Sequence, residues 1–160
     1  MEELKALAIK KLEERGVTIN DIALIVKDIQ SIYRNISIDE CIDTVLYVIS
    51  KRETIYTILT GISLDEAAEK GLLDEKVNNL IKNDKGLFGL DEILALSIVN
   101  MNGSIALTNF GYLDKIKPGI IGKIDNEGKK KIRCHTFLDD IVSAIAASAA
   151  SRIAHNVEEN

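Results

Sequence analysis

The chain has 160 residues, of which 46% are hydrophobic and 28% are charged, a balance that is ordinary for a globular protein. Its formal net charge of −5 disfavours nucleic acid as the main partner, because phosphate backbones recruit clustered lysine and arginine. A single proline, no tryptophan and few glycines leave little turn-forming sequence, so the composition favours helices.

The first half of the chain carries apolar residues at helical spacing, with charged residues on the opposite face. Two Ser-x-x-Glu patterns, which begin at Ser37 and Ser63, have the form of a capping box and predict helix starts. Gly16 is a natural position for the end of the first helix. The predicted helices of this half cover 3–14, 18–29, 37–50, 52–60, 63–71 and 74–81.

The sequence changes character after Asn83-Asp84-Lys85-Gly86, because charged residues then become sparse. Helices are predicted over 90–101, 104–116 and 136–155, with a loop over 118–133 and no strand. We therefore predict one compact all-α domain over 1–160, in which the amphipathic helices of the segment 1–84 pack on an apolar C-terminal helical half.

The stretch 93–113 contains no charged residue and is long enough to span a bilayer. It holds three asparagines, however, and Asn102-Gly103-Ser104 is typical of a turn, so we interpret it as a buried helical hairpin. The N-terminus reads as a charged helix start rather than a targeting segment. The distant Cys41 and Cys134 indicate reduced thiols, and we expect a cytoplasmic protein with at most peripheral membrane contact.

Two acidic pairs mark the starts of apolar helices in the second half. Asp91-Glu92 and Asp139-Asp140 both fall in a first turn, where the helix dipole by itself favours negative charge. Adjacent helical residues point about 100° apart, so only one of Asp139 and Asp140 can easily face the same direction as its apolar neighbours. A buried helix with carboxylates at its start requires a metal or a basic group to neutralise them.

The most distinctive segment runs from Asp114 to Asp125. Asp114 and Lys117 are three residues apart and share a helix face, and Pro118 ends that helix. Lys117 is therefore fixed at a helix end, from which its ammonium group can project into a cleft. An ordinary salt bridge at a helix stop explains the same residues without any function.

Taken together, the acidic clusters and the lysine are the components of a metal-assisted phosphate-ester hydrolase. Magnesium prefers oxygen ligands and often binds through a few carboxylates and substrate phosphate. A lysine supplies a point charge for a phosphate oxygen. The cofactor predicted from this set is Mg²⁺.

The order of these motifs resembles the phosphatidylglycerophosphatase A family. The resemblance covers about 87–156 and rests on Asp-Glu, then Asp-x-x-Lys-Pro-x-x-Ile-x-x-x-Asp, then Leu-Asp-Asp-Ile-Val. These motifs lie at 91–92, 114–125 and 138–142. Members of the family remove phosphate from phosphatidylglycerol phosphate in a magnesium-dependent reaction, and most are integral membrane proteins. The chain looks like the soluble Gram-positive branch, and it has Gly111 where the family commonly has arginine.

The resemblance implies roles for six carboxylates and one lysine. Asp91, Glu92, Asp139 and Asp140 are the predicted metal ligands; Asp114, Asp125 and Asp139 are the predicted catalytic residues; Lys117 is the predicted phosphate contact. The resulting hypothesis is a metal-dependent phosphomonoester phosphatase whose substrate is a phosphorylated small molecule or lipid headgroup.

Two other hypotheses remain open on the sequence. A non-enzymatic metal- or phosphate-binding regulatory module would retain the pocket without hydrolysis, consistent with Gly111. A structural homo-oligomer would use the small residues Ala144, Ala147, Ser148 and Ser151 for contacts between copies, and a tight core within one chain explains the same stripe.

Overall fold

The structure, a computed structural model, describes residues 1–84 and 89–157. This part of the chain forms nine α helices and no strand, which confirms the all-α prediction. The helices are α1 (Glu2–Glu14), α2 (Ile19–Gln30), α3 (Ile38–Ile49), α4 (Arg52–Glu69), α5 (Glu75–Asn83), α6 (Leu90–Val99), α7 (Gly103–Ile116), α8 (Ile120–Lys129) and α9 (Leu138–Val157). Residues 85–88, which include the end of the boundary that the sequence predicts between the two parts of the chain, lie outside the described residues.

Several helix starts follow from local hydrogen bonding. Thr18 and Asp21 form a complete capping box at the start of α2. Ser37 accepts a hydrogen bond from the Glu40 N–H at the start of α3, as the sequence predicts. Glu40 does not return the bond, because its carboxylate pairs with Arg34 instead.

The predicted helix start at Ser63 is wrong. One helix, α4, continues from Arg52 to Glu69, and the Ser63 hydroxyl donates to the Leu59 carbonyl one turn earlier. The helix passes through Gly61 because this glycine lies directly against Ile141 and Phe137, where packing stabilises the continuous helix.

The predicted loop at 118–133 is also wrong in its first half. Residues Ile120–Lys129 form α8, and Ile120, Ile121 and Ile124 bury one face of it in the core. Asp125 therefore lies on a helix rather than in a loop. The ends of α8 give few cues, because Gly119 precedes it and glycines occupy two of its positions.

The last helix occupies the centre of the molecule. Every residue from Cys134 to Ser151 is buried, and α9 packs against α2, α3, α4, α6, α7 and α8. One continuous cluster of buried apolar side chains joins the N-terminal helices to this C-terminal half. The small-residue stripe at Ala144, Ala147, Ser148 and Ser151 belongs to this core, with each residue fully buried.

The apolar stretch Leu90–Ile116 is long and apolar enough to cross a membrane by length and composition, with a mean hydropathy of 1.3. In this structure the 3-10 turn Asn100–Asn102 separates α6 from α7, which confirms the predicted break. The structure buries less of this hairpin than the sequence predicts, because only 28% of its apolar segment is buried. Side chains such as Ile93 and Leu107 are exposed.

Candidate active site

The first turn of α6 supplies two carboxylates to the candidate site. Asp91 and Glu92 follow Leu90, the first residue of the helix. Asp91 is buried and Glu92 is half-buried. Within the part of the chain that the structure describes, Asp91 Oδ1 and Glu92 Oε2 are enclosed and have no hydrogen-bond partner. Burial raises the pKa of Asp91 to about 8, and the neighbouring Glu92 acts in the same direction.

Asp140 brings a third carboxylate to the same point. One oxygen from each of Asp91, Glu92 and Asp140 lies within 4.8 Å of the other two. Burial raises the pKa of Asp140 to about 10, and repulsion from Asp139, Asp114 and Asp91 contributes in the same direction. Three carboxylates so close together cannot all ionise without a compensating positive charge.

Lys117 stands at the end of α7 in a left-handed backbone conformation, with φ of 49°. Its ammonium group lies 2.7 Å from Asp139 Oδ2, 3.1 Å from Asp114 Oδ1 and 3.9 Å from Asp125 Oδ1. Burial alone would lower the pKa of Lys117, but the ion pairs with Asp139 and Asp114 raise it above its ordinary value. Lys117 therefore stays protonated among its acidic neighbours.

Asp139 and Asp140 face different neighbours, as their angular separation on a helix requires. Asp139 pairs with Lys117, while Asp140 lies near Asp91 and Glu92. Burial raises the pKa of Asp139 to about 7, even though Lys117 favours its ionised form. The sequence predicts both Asp139 and Asp140 as metal ligands. In the structure only Asp140 belongs to the group of three carboxylates with Asp91 and Glu92.

The two halves of the site are in contact. The Asp114 carboxyl is within hydrogen-bonding reach of Asp140, so it links the Lys117 group to the three carboxylates. Asp125 extends the site along α8 and also pairs with Lys129 at 2.6 Å. All seven predicted residues are therefore joined by these contacts into one cluster, although their chain positions span 91 to 140.

The donor set fits a hard divalent cation. Magnesium takes oxygen ligands at about 2.0–2.1 Å and commonly uses a few carboxylates, with water or phosphate oxygens in the remaining positions. The unpartnered oxygens of Asp91 and Glu92, together with Asp140, provide such a set on one side. The raised pKa values of Asp91 and Asp140 mean that these carboxyl groups hold protons when no cation is bound, and a bound cation would take the place of those protons.

The sequence analysis missed Asp84. It ends α5 in a left-handed conformation and lines a small cavity with Asp125 and Asp139. The pattern Asn83-Asp84-Lys85-Gly86 was read only as a boundary between two parts of the chain. An acidic residue at a helix end, where the dipole disfavours negative charge, was the available signal.

It also missed the polar residues that hold the chain just before α9. Asp65 and Glu69 from α4 accept backbone N–H groups of this segment, and Arg15 binds both Glu69 and the Cys134 carbonyl. His135 Nδ1 lies 3.3 Å from Arg15, and its Nε2 forms a hydrogen bond of 3.0 Å with Glu127, which favours the protonated ring. Burial lowers the pKa of His135, and the charge of Arg15 acts in the same direction.

A model of the phosphatidylglycerophosphatase A family matches residues 22–155, a wider region than the 87–156 identified from motifs. The uncharacterized protein YpjQ of Bacillus subtilis (strain 168) is 51% identical over 160 residues, covering 99% of this chain and 89% of the relative. The uncharacterized protein YutG of the same organism is 48% identical over 154 residues, covering 96% and 92%.

Solved structures show the same fold. The crystal structure of YpjQ from Bacillus subtilis has a TM-score of 0.94 at 49% identity, covering 99% of this chain and 98% of that one. That of the low temperature requirement C protein from Listeria monocytogenes has a TM-score of 0.92 at 52% identity, covering 97% of each chain. The family match spans most of the chain and includes every residue of the acidic cluster, so the chain belongs to the phosphatidylglycerophosphatase A family.

Proposed function

We propose that the protein is a magnesium-dependent phosphomonoester phosphatase that acts on phosphatidylglycerol phosphate. The observation that carries the proposal is the group of buried, unpartnered carboxylate oxygens at Asp91 and Glu92, completed by Asp140 and placed beside the protonated Lys117. Such a site pairs cation ligands with a fixed positive charge, and family membership supports phosphate-ester hydrolysis as its use.

In this proposal, Asp91, Glu92 and Asp140 hold the metal ion, with Asp139 as a further candidate. When bound, the metal would neutralise charge on the phosphoryl group and polarise it. Lys117 donates hydrogen bonds to phosphoryl oxygens, and the developing negative charge strengthens these bonds. Asp139 holds the ammonium group of Lys117 in place through their 2.7 Å ion pair.

Asp114 and Asp125 are the proposed water-orienting residues. Either carboxylate accepts a proton from the water whose oxygen attacks phosphorus. As the phosphorus–oxygen ester bond breaks, the leaving oxygen takes that proton from the carboxyl group and departs as the alcohol. Both carboxylates have an oxygen within 4.0 Å of the Lys117 ammonium group, so a water held by either of them would lie next to a phosphate bound by Lys117.

Two adjoining cavities support a substrate with an apolar portion. Cavities of about 530 and 440 Å³ lie between α2 and α7 and share Ile29, Tyr33, Thr108 and Asn109 among their lining residues. The second reaches Pro118, the residue next to Lys117. An acyl chain that continued from a headgroup at Lys117 would meet this mainly apolar groove.

The proposal is tested by phosphate release from phosphatidylglycerol phosphate and from small phosphomonoesters, with magnesium and with a chelator. We expect magnesium-dependent turnover that falls roughly 100-fold or more in Asp140→Asn, because an electrostatic group at the reaction centre is lost. The matched control is Asp43→Asn, which neutralises an exposed aspartate on α3.

Three outcomes separate the hypotheses. Turnover of phosphatidylglycerol phosphate that exceeds turnover of small phosphomonoesters supports the lipid assignment, whereas the reverse order leaves a phosphatase with a different substrate. Thermal stabilisation by magnesium without turnover identifies a binding module instead. If Asp43→Asn lost as much activity as Asp140→Asn, the assignment of the active site would be wrong.

A further inference from the structure

The segment that leads into α9 is fixed by side chains from distant parts of the chain. Residues 134–137 are buried and precede the first turn of α9, so water is not available for their backbone polar groups. The first N–H groups of an α helix have no partner inside the helix. Here the Phe137 and Leu138 N–H groups are bound by Asp65 of α4, whereas the Asp139 N–H donates to the His135 carbonyl and the Asp140 N–H to the Asp139 carboxylate.

Asp65 is the centre of this arrangement. It is fully buried, and its Oδ1 accepts the Phe137 N–H while its Oδ2 accepts the Leu138 N–H, both at 3.1 Å. A carboxylate that accepts two N–H groups at a helix start satisfies the free donors and interacts favourably with the helix dipole. Asp65 therefore caps α9 from another helix.

Glu69 lies one turn further along α4, on the same face as Asp65. Its Oε1 accepts the Cys134 N–H at 2.7 Å, and Arg15 binds its carboxylate through two hydrogen bonds of 2.7 and 3.1 Å. Arg15 also donates to the Cys134 carbonyl. The approach to α9 is thus held at both Cys134 and Leu138, by two carboxylates that are four residues apart.

We propose that Asp65 is a positioning residue for the phosphatase reaction, fixing the rotation of the first turn of α9 so that Asp139 meets Lys117 and Asp140 meets Asp91 and Glu92. This inference rests on the proposed function. Asp139 follows Leu138 directly, so the hydrogen bond from the Leu138 N–H to Asp65 acts one residue away from the site.

The site depends on this rotation because its two aspartates have different partners. A displacement equivalent to one residue turns a helix by about 100°, the angle that separates Asp139 from Asp140. The correct pairing therefore requires a restraint on the rotation of this turn. Asp65 provides that restraint without touching the three carboxylates grouped at Asp91.

The test compares Asp65→Asn with Asn78→Ala. Asparagine keeps the size of Asp65 but cannot accept hydrogen bonds at both positions. Asn78 is a matched control because it is also buried and also makes two hydrogen bonds to backbone, with the N–H and the carbonyl of Leu73. It lies on α5, and its hydrogen bonds within the described part of the chain go to Leu73 rather than to the start of α9.

We expect both variants to lose thermal stability, while only Asp65→Asn loses kcat, by about tenfold to a hundredfold, because displaced catalytic groups slow the reaction. KM should change by less than about threefold, since the phosphate contact at Lys117 is not removed. Hydrogen–deuterium exchange of the amides at 137–141 should increase in Asp65→Asn and not in Asn78→Ala.

Equal kcat losses in the two variants, or unchanged exchange at 137–141 in Asp65→Asn, would overturn the positioning role. If the wild-type protein showed no turnover, the proposed function would fail, and the comparison of exchange at 137–141 would decide alone whether Asp65 fixes this turn. The two failures are therefore distinguishable.

Discussion

Lys117 holds its place through an uncommon backbone conformation. A non-glycine residue with positive φ is sparsely populated, and it persists only where the surrounding structure enforces it. Here the carbonyl of Lys117 lies directly against Gly122 of α8, at a distance that leaves no room for a Cβ atom. Because residue 122 has no side chain, the Lys117 backbone can lie close to α8, and this backbone position determines where the ammonium group of Lys117 can lie.

Gly122→Ala is expected to displace the Lys117 backbone, lowering stability by about 1–3 kcal/mol and reducing turnover more than substrate binding. The matched control is Gly111→Ala, since nothing lies within 4 Å of that position on α7 and alanine favours a helix there by about 1 kcal/mol. Urea unfolding and phosphate release measure the two effects. Equal stability of the two variants would contradict the close contact at Gly122.

Asp91→Asn is expected to stabilise the metal-free protein at neutral pH by roughly 1–2 kcal/mol, because the folded state must keep a proton on buried Asp91 that the unfolded chain would release. The same substitution should remove most of the thermal stabilisation by magnesium. Urea unfolding with a chelator and thermal unfolding with magnesium test the two parts, with Asp43→Asn as the control. A variant that kept the full magnesium response would exclude Asp91 as a ligand.

The pH dependence follows from the same residue. The pKa of Asp91 is about 8 in the folded protein, whereas aspartate in an unfolded chain has a pKa of about 3.9. Between these values the folded state keeps a proton that the unfolded state releases, so stability falls as pH rises. We expect the stability advantage of Asp91→Asn, measured with a chelator, to be small near pH 4–5 and to grow towards pH 8. A constant difference across this range would show that Asp91 is already ionised at low pH.

At the scale of elements, helix existence is predicted better than helix ends. The Thr18 and Ser37 caps mark starts that local hydrogen bonds decide. The Ser63 pattern has the same form but lies inside α4, because burial against α9 decides there. Local sequence cannot report which of two equivalent signals tertiary packing will override.

The helix α8 was missed for a related reason. Its glycines and charges predict a loop, yet the buried face of Ile120, Ile121 and Ile124 stabilises it once α9 is in place. This difference changes the account of Asp125, whose direction towards Lys117 is now set by a helix and by the Lys129 ion pair.

The contact between α4 and α9 gives a prediction at this scale. Gly61→Ala would place a Cβ atom against the Ile141 Cδ1 atom, and we expect a loss of about 1–3 kcal/mol in the free energy of unfolding. Ile141→Val removes that atom at a cost of about 0.5–1.5 kcal/mol. The double variant should therefore be more stable than the sum of the single effects predicts, which a double-mutant cycle in urea measures. Strict additivity would show that the two helices do not meet at this point.

At the scale of the whole molecule, the sequence was sufficient for the fold class. The residues it predicts for the site lie in one cluster in the structure, but neither their pairing nor the nearby Asp84 could be predicted. Family resemblance selected the seven residues, and the 100° rule correctly predicted that Asp139 and Asp140 diverge. Which of the two aspartates faces Lys117 depends on the rotation of α9 about its axis. That rotation is set by Asp65, which is 74 residues earlier than Asp139 and belongs to no recognised motif.

The central position of α9 has a consequence for biosynthesis. Protein synthesis proceeds from the N-terminus, so the residues that fill the middle of the bundle leave the ribosome after all of the helices that surround them. Until then the inner faces of those helices, including the mainly apolar α6 and α7, lack their main packing partner. The nascent chain must therefore avoid aggregation with its interior open, and the proposed metal ligands cannot assemble before translation has passed Asp140.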